Sequence, residues 1–455
     1  MKGKGRNYQA LRGYCETVPL IDCHDHTAEC GPRYQDPIAA IASGYFPSDL
    51  TSASSEKEVA LLSDASRPLE ERWPVLERAW KRTCHTGYAQ VVKRVLKKFY
   101  AEDSLTLEAL TRMQGRLLDL SDPQTFERLL EEARIAVRLV DIWPDVKKVV
   151  DGSLALAPRS RLVISTPRYH SIGTYQAVQD NVAPLGCQVT SLDEYLEACR
   201  HLFAAHKRFG AVAFKDQSAY SRSLAYGNPT RAAAEEVFNW FMADPRRTAA
   251  YPDGVKPLDD FLFHAFLRMA RDLDLPVQIH TGHMAGIRND IAKTNAVHLT
   301  QVLELHREVR FDLFHANWPY SGELLYLAKN FPNVAIDFCW ANIIDPVYCQ
   351  AMFRQALSCV PHGKIHGYGS DFGGGADQAW AHAQIARDNV ALALAEMVEI
   401  DYLGLDEAKE VAHAWLFGNA NEFFRLGLSG EGLSASACFP PPRLITRPET
   451  AKNLL

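Results

Sequence analysis

The run Ile21–Asp22–Cys23–His24–Asp25–His26 sets two histidines two residues apart. In an extended strand, residues i and i+2 face the same way, so His24 and His26 project together while Cys23 and Asp25 alternate away. Two imidazoles converging from one strand suit a divalent ion such as Zn²⁺, which takes neutral nitrogen ligands near ~2.0–2.1 Å. An isolated H-x-H says little, because paired histidines also occur on partly exposed strands. Here His280 and Asp371, each following a later apolar run, add a third nitrogen and a carboxylate. Three or four protein ligands with one open position describe a catalytic rather than a structural site.

Ligands spread from residue 24 to residue 371 need elements that gather them. Short β-type runs alternate with helical patterns along the chain. Strands are expected at Val18–His24, Ile135–Val140, Leu162–Ser165, Ala211–Lys215, Val277–His280, Phe311–His315, Val334–Asp337 and Ile365–Asp371. Helices are expected between them, among others at Leu192–Arg208, Arg231–Ala243, Leu258–Asp274, Ala296–Glu308 and Val347–Ser358. That alternation implies βαβ units and a parallel sheet, and eight strands is the number that closes a barrel. His24, Lys215, His280, His315 and Asp371 each end a proposed strand, at the rim where such barrels carry their active sites. Five polar residues at the same end are hard to ascribe to packing. The expected fold is therefore α/β, a (β/α)8 TIM barrel in a single domain spanning residues 1–455. A large helical insertion of about 37–132 follows the first strand, and an extended C-terminal arm covers about 433–455.

Composition narrows the partners. The 455 residues are 47% hydrophobic and 23% charged, which excludes a disordered or fibrous chain. A net charge of −6, with basic residues spread rather than massed, leaves no electrostatic footprint for nucleic acid or anionic lipid. No apolar run approaches the ~20 residues of a membrane helix. The polar, basic stretch Met1–Ala10 does not read as a secretory signal. Ten cysteines are scattered without C-x-x-C spacing, as expected of buried free thiols in the reducing cytoplasm. The expected partner is a small-molecule substrate, with no nucleic acid and no membrane. The early helical stretch, with "WKRTCHTGYAQVVKRVLKKF", has helical apolar spacing. Ordinary packing is its expected role, a pocket lid or a homo-oligomer contact the alternatives.

The ordered segments "IDCHDH", "FKDQSAY", "PVQIHTGH", "FDLFHANWPY" and "HGYGSDFGGG", closed by "LFGNANEFF", resemble the metal-dependent amidohydrolase superfamily. Within it the chain is similar to the amidohydrolase-related group, which contains hydrolases and decarboxylases. "LPVQIHTGH", "LFHANWPY" and "VAIDFCWA" also resemble the amidohydrolase-type portion of nodulin/FluG-like proteins. The resemblance implies His24, His26 and His280 as metal ligands and Asp371 as ligand and general base. A divalent ion can lower the pKa of its water to about 7, and Asp371 beside it is placed to take the proton. His315 is implied either as ligand of a second metal or as a catalytic acid, base or electrostatic helper. Lys215 is implied as a carboxylated bridge between two metals; unmodified, its ammonium suits an anionic substrate group, or it is solvated at the loop start. One metal per chain is expected, Zn²⁺ by its nitrogen-rich ligation, and two if Lys215 is carboxylated.

Arg168 and Arg222 could each bind a substrate carboxylate bidentately, or serve as ordinary salt-bridged arginines. Trp318 and Trp340 are placed to wall the pocket or to cap the barrel core, and Tyr220 to add a hydroxyl. Asp337 could support a histidine from behind. Asp141–Ile142–Trp143–Pro144 and His283 border the site, and Gly373–Gly374–Gly375 lets backbone approach closely. The leading reaction is metal-dependent hydrolysis of a small anionic amide, ester or lactone-like substrate. The alternatives are non-oxidative decarboxylation of an aromatic or conjugated acid, a sugar-acid isomerase on the same barrel, and a non-catalytic enzyme-like module.

Overall fold

Eight short runs rich in β-branched and apolar residues form parallel strands β1 (Leu20–Asp25), β2 (Ile135–Val140), β3 (Ser160–Ser165), β4 (Ala213–Asp216), β5 (Val277–Ile279), β6 (Phe311–Leu313), β7 (Val334–Asp337) and β8 (Ile365–His366). The computed structural model describes residues 5–27 and 29–429, so the arm expected at about 433–455 lies outside them. Strand order follows sequence order from β1 to β8, with every neighbouring pair parallel. In-register pairs such as Lys215↔Gln278 and Gln278↔Asp312 carry the alignment around the sheet. Beyond β8 the chain runs on beside β1: Cys23 N donates to Tyr368 O (3.2 Å), Asp371 N to His24 O (2.8 Å) and His26 N to Phe372 O (2.9 Å). The architecture is a nearly closed (β/α)8 barrel with helices between the strands.

Strands β5, β6 and β8 stop short of the expected polar residues, whereas β4 includes Lys215 and runs on to Asp216. The backbone turns left-handed at His315 (φ 61°) and Asp371 (φ 57°), and residues with positive φ cannot continue a pleated strand. The segment expected as one helix at Ala296–Glu308 splits into a 3₁₀ turn, Ala296–Leu299, and a short helix, Thr300–Leu305. Elsewhere local chemistry sets the helix ends. Ser191 and Glu194 form a capping box that starts the helix Leu192–Phe209, and Gly210 ends it in the left-handed region (φ 111°). Between β1 and β2 lie seven α-helices, from Pro37–Ile41 to Pro123–Glu132.

The long helix Ala376–Glu399 packs across the N-terminal helix Arg6–Thr17. Its buried Arg387 donates to three carbonyls, of Cys15 (2.8 Å), Val18 (3.1 Å) and Ala133 (3.0 Å). One guanidinium thereby satisfies the chain ends leading into β1 and β2. Arg138 on β2 does the same one level up. It pairs with Asp25 at 2.9 Å and reaches Ser160 Oγ at 3.0 Å, so Asp25 faces away from its histidine neighbours. No described helix is long and apolar enough to cross a membrane.

Candidate metal centre

At the end of β1, His24 and His26 lie with ring centroids 4.5 Å apart. Their Nε2 atoms approach the same oxygen, Asp371 Oδ1, at 3.7 and 3.1 Å. Asp141 O accepts from His26 Nδ1 at 2.9 Å, while His24 Nδ1 has no partner. Burial disfavours an ionised Asp371, but His24, His26 and His315 outweigh it and hold the carboxyl well below its usual range. Burial and the Lys215 ammonium drive His24 well below 6.5, so its imidazole is neutral. For His26 burial pulls the other way from Asp371 and Asp141, and the carboxylates win, raising it to about 9.

His280 and His315 complete the cluster. His280 Nε2 is engaged by the carbonyl of His283 (2.7 Å), and His315 Nδ1 by that of Cys339 (2.9 Å). A ring N–H on each carbonyl leaves bare lone pairs on His280 Nδ1 and His315 Nε2, and these two atoms face each other at 3.1 Å. Both rings are buried and neutral at pH 7: burial, His315 and Lys215 lower His280, and burial takes His315 to about 4. Opposed lone pairs at that distance need a shared proton or a metal ion between them. With an ionised carboxylate alongside, the donor set fits a divalent cation. His315 Nε2 stands 3.7 Å from Asp371 Oδ2.

Lys215, one residue before the end of β4, is fully buried, and its Nζ has no hydrogen-bond partner. The ammonium stands 3.3 Å from the Phe314 ring centroid, and the same ring packs against His24. Burial lowers its pKa, against the pull of Asp371 and Asp141. Asp337 acts through a turn. Its Oδ1 accepts the Cys339 N–H at 2.6 Å, and the Cys339 carbonyl is the one that orients His315. After Asp371, Gly374 takes a left-handed φ of 95°, and Gly31 packs on it so closely that a Cβ there would meet Gly374 O at 1.9 Å.

The structure separates the two arginines. Arg222 is buried and spent on two carboxylates, Asp259 (2.7 Å) and Asp260 (2.5 Å). Arg168 is half-buried, donating to Asn181 at 3.4 Å and lying 5.2 Å from the Tyr169 ring centroid, beside Ile142 and Trp143 and with no carboxylate paired to it among the described residues. Trp318 and Trp340 both pack against the His283 ring, at 5.4 and 4.8 Å. Tyr220 lies 4.7 Å from the His280 ring, its hydroxyl accepting from Ala285 N. A cleft of about 380 Å³ opens beside His26, bordered by Glu29, Asp141, the exposed Trp143 and Leu156. A larger cavity of about 560 Å³, between Val150, Leu185 and the helix Leu192–Phe209, holds none of these residues.

Two residues of the wall were not anticipated. Tyr45 stacks on Trp340 at 4.1 Å and donates to the backbone carbonyl of Asp371, and Tyr88 Oη meets His283 Nε2 at 3.4 Å. Both come from the segment between β1 and β2, Tyr45 from the turn before the helix Phe46–Ala53 and Tyr88 from the first turn of the helix Gly87–Val95, where the sequence does not distinguish an aromatic facing the rim from one facing the core.

Residues 199–426, half of the chain, match the family profile described as Amidohydrolase. Protein fluG of Emericella nidulans is 26% identical over 440 residues, covering 92% of this chain but 47% of its own length. The chain thus spans about half the length of that curated relative. Among solved structures, a uronate isomerase of Thermotoga maritima superposes with a TM-score of 0.67 at 14% identity, covering 92% of this chain and 98% of that one. A glucuronate isomerase of Caulobacter crescentus gives 0.66 at 17%, covering 96% of each chain. A protein assigned as a metal-dependent hydrolase from Lactobacillus casei gives 0.61 at 17%, covering 92% and 98%. These structural likenesses establish the barrel fold.

Proposed function

Because the chain belongs to the amidohydrolase family, we propose that it is a metal-dependent hydrolase acting on a small anionic amide, ester or lactone-like substrate. The observation that carries this reading is the pair of neutral imidazoles, His280 and His315, whose facing lone pairs lie beside an ionised Asp371. His24, His26, His280 and Asp371 would hold one divalent ion, Zn²⁺ by the nitrogen-rich donor set. When bound, that ion supplies Lewis acidity and a water of lowered pKa.

The chain's own groups do the rest. Asp371, ionised at neutral pH, accepts the proton of the attacking water and returns it to the leaving group. His315, fixed by the Cys339 carbonyl with Nε2 free, is a second acceptor on the opposite side of the carboxylate. The unpartnered Lys215 ammonium, and Arg168 at the edge, are the cations left to meet an anionic substrate group, since Arg222 is occupied. Tyr45, Trp318 and Trp340 wall the site against water. A second ion at this rim would require a carboxylated Lys215. The described cysteines are all free thiols, which supports a cytoplasmic location.

The test is a screen of amides, esters and lactones bearing a carboxylate, run in ¹⁸O-labelled water. One labelled oxygen in the carboxylate formed and none in the amine or alcohol released is expected, with turnover lost on chelation and restored by added metal. Carbon dioxide release without label would replace hydrolysis by decarboxylation, and full turnover by metal-stripped protein would refute the reading. Asp371→Asn should abolish turnover with the circular dichroism spectrum unchanged.

A further inference from the structure

The interior of an α/β barrel is ordinarily filled by layers of branched apolar side chains. Here Cys23 on β1, Gln278 on β5, Asp312 on β6, Asp337 on β7 and His366 on β8 are all fully buried. We propose that Cys23, Asp337 and His366 form a second divalent-metal site, inside the barrel and sharing no metal ligand with the rim.

Three observations carry it. One donor atom from each of the three residues lies within 4.8 Å of the other two. His366 Nδ1 is held by Asp312 Oδ1 at 2.9 Å and stands 3.9 Å from Asp337 Oδ2, and Gln278 Nε2 donates to the other Asp312 oxygen at 3.2 Å. A carboxylate accepting from one ring nitrogen of a histidine, so that the other presents its lone pair, is the usual backing of a metal-ligating imidazole. Finally, His366 Nε2 and Asp337 Oδ2 are buried with no hydrogen-bond partner, although buried polar atoms are almost always paired. Asp337 Oδ1 is already used by the Cys339 N–H, so Oδ2 is the free arm. The Cys23 thiol lies 3.9 Å from Ile21 O and beside the Asp337 carboxylate, and burial with the Asp337 and Asp312 charges pushes its pKa up.

Thiolate, imidazole and carboxylate together suit Zn²⁺ or Co²⁺ rather than Mg²⁺ or Ca²⁺. Binding replaces the thiol proton by the metal and releases that proton to solvent. Because the site is enclosed, the ion is taken up as the chain folds and exchanges slowly with chelators. β1 makes the arrangement achievable: its pairing with β2 shifts register between Asp22 and Asp25, breaking the alternation that would turn Cys23 away. The competing account of the same residues is a proton held between Asp337 and Asp312.

The experiment grows the full chain in cobalt-supplemented medium and records its absorption spectrum and metal content. A sulfur-to-cobalt charge-transfer band in the near ultraviolet is expected. It should be lost, with one metal per chain, in Cys23→Ser. It should persist in Cys339→Ser, which removes the thiol at the rim, and in Lys215→Met, which removes any bridged rim metal. X-ray absorption on the unsubstituted zinc protein should find a sulfur neighbour near ~2.3 Å, which keeps the test open if Cys23→Ser does not fold. Absence of both the band and the sulfur neighbour, or loss of the band in Cys339→Ser with retention in Cys23→Ser, overturns the proposal in favour of the shared proton or the rim thiol.

Discussion

Raising the pH through 9 should weaken the fold through one histidine, His170. Its ring sits fully buried between two carboxylates: Nε2 lies 2.8 Å from Asp216 Oδ2, and Nδ1 meets Asp259 Oδ1. Burial lowers its pKa, but Asp259 and Asp216 more than reverse that and raise it to about 9. The folded pKa therefore exceeds the unfolded value of about 6.5, and the imidazolium contributes fully below pH 6.5 and is lost as pH rises through 9. The difference, about 9 minus 6.5, at 1.36 kcal/mol per unit, comes to about 3 kcal/mol. This histidine ties the turn after β3 to Asp216, the neighbour of Lys215, so the loss falls on the frame of the site. Urea unfolding of the wild type and His170→Asn at pH 6 and 9.5 measures it. The wild type should lose about 3 kcal/mol more than the variant across that interval. His26, also raised to about 9, titrates in both proteins and cancels in the difference. Parallel losses in the two proteins would refute the charged, doubly paired imidazole.

Arg222→Met should destabilise the protein by about 3 kcal/mol, because two charge-assisted bonds of about 1.5–3 kcal/mol each are lost while His170 and Lys256 still hold the carboxylates. KM should stay put; a tenfold rise in KM with unchanged unfolding would place Arg222 against substrate, whereas Arg168→Ala should show the KM rise. Chelation of the rim metal should lower the melting temperature by the equivalent of about 2.7 kcal/mol if the ion was present at about 100 times its Kd, and an unchanged melting curve would argue against a bound ion. Metal affinity should fall about tenfold per pH unit below 9, since the ion displaces one proton from His26; a calorimetric titration showing no proton release at pH 7 would contradict it.

The barrel was legible because each strand is a short apolar run that ends in a polar residue or meets one within a few positions. The gathering of His24, Lys215, His280, His315 and Asp371 at one rim follows from that pattern alone. What stayed hidden depends on partners distant in sequence. Arg222 looks like a carboxylate binder until Asp259 and Asp260, 37 and 38 residues on, arrive on the helix Lys256–Asp272. Cys23 looks turned away until the register shift in β1 places its thiol beside Asp337 and His366. Tyr45, in a turn, and Tyr88, in a helix, carry no distinguishing signal, since aromatic residues serve core and pocket equally.

Strand ends were overestimated for a reason that bears on function. His315, Ala316, Asn317, Trp340 and Asp371 all take positive φ, between 48° and 61°. For residues with a side chain that conformation costs roughly 1–2 kcal/mol each, so five together rival the net stability of a typical domain. Packing alone does not select such a cluster, because glycine would meet the same turns at lower cost. Specific backbone bonds hold it instead: Asp371 N to His24 O at 2.8 Å, Trp340 N to Gly369 O at 2.9 Å, and Asn317 Oδ1 accepting from Ala296 N at 3.0 Å. The strained residues include the two side chains, His315 and Asp371, that face the remaining ligands across 3.1 to 3.7 Å. A polar ending on a regular strand would have pointed every second side chain away from the axis. The left-handed turns beyond β6, β7 and β8 free those side chains from the alternation. Concentrated at the rim carrying the histidines, the strain is a property of the site rather than of the fold.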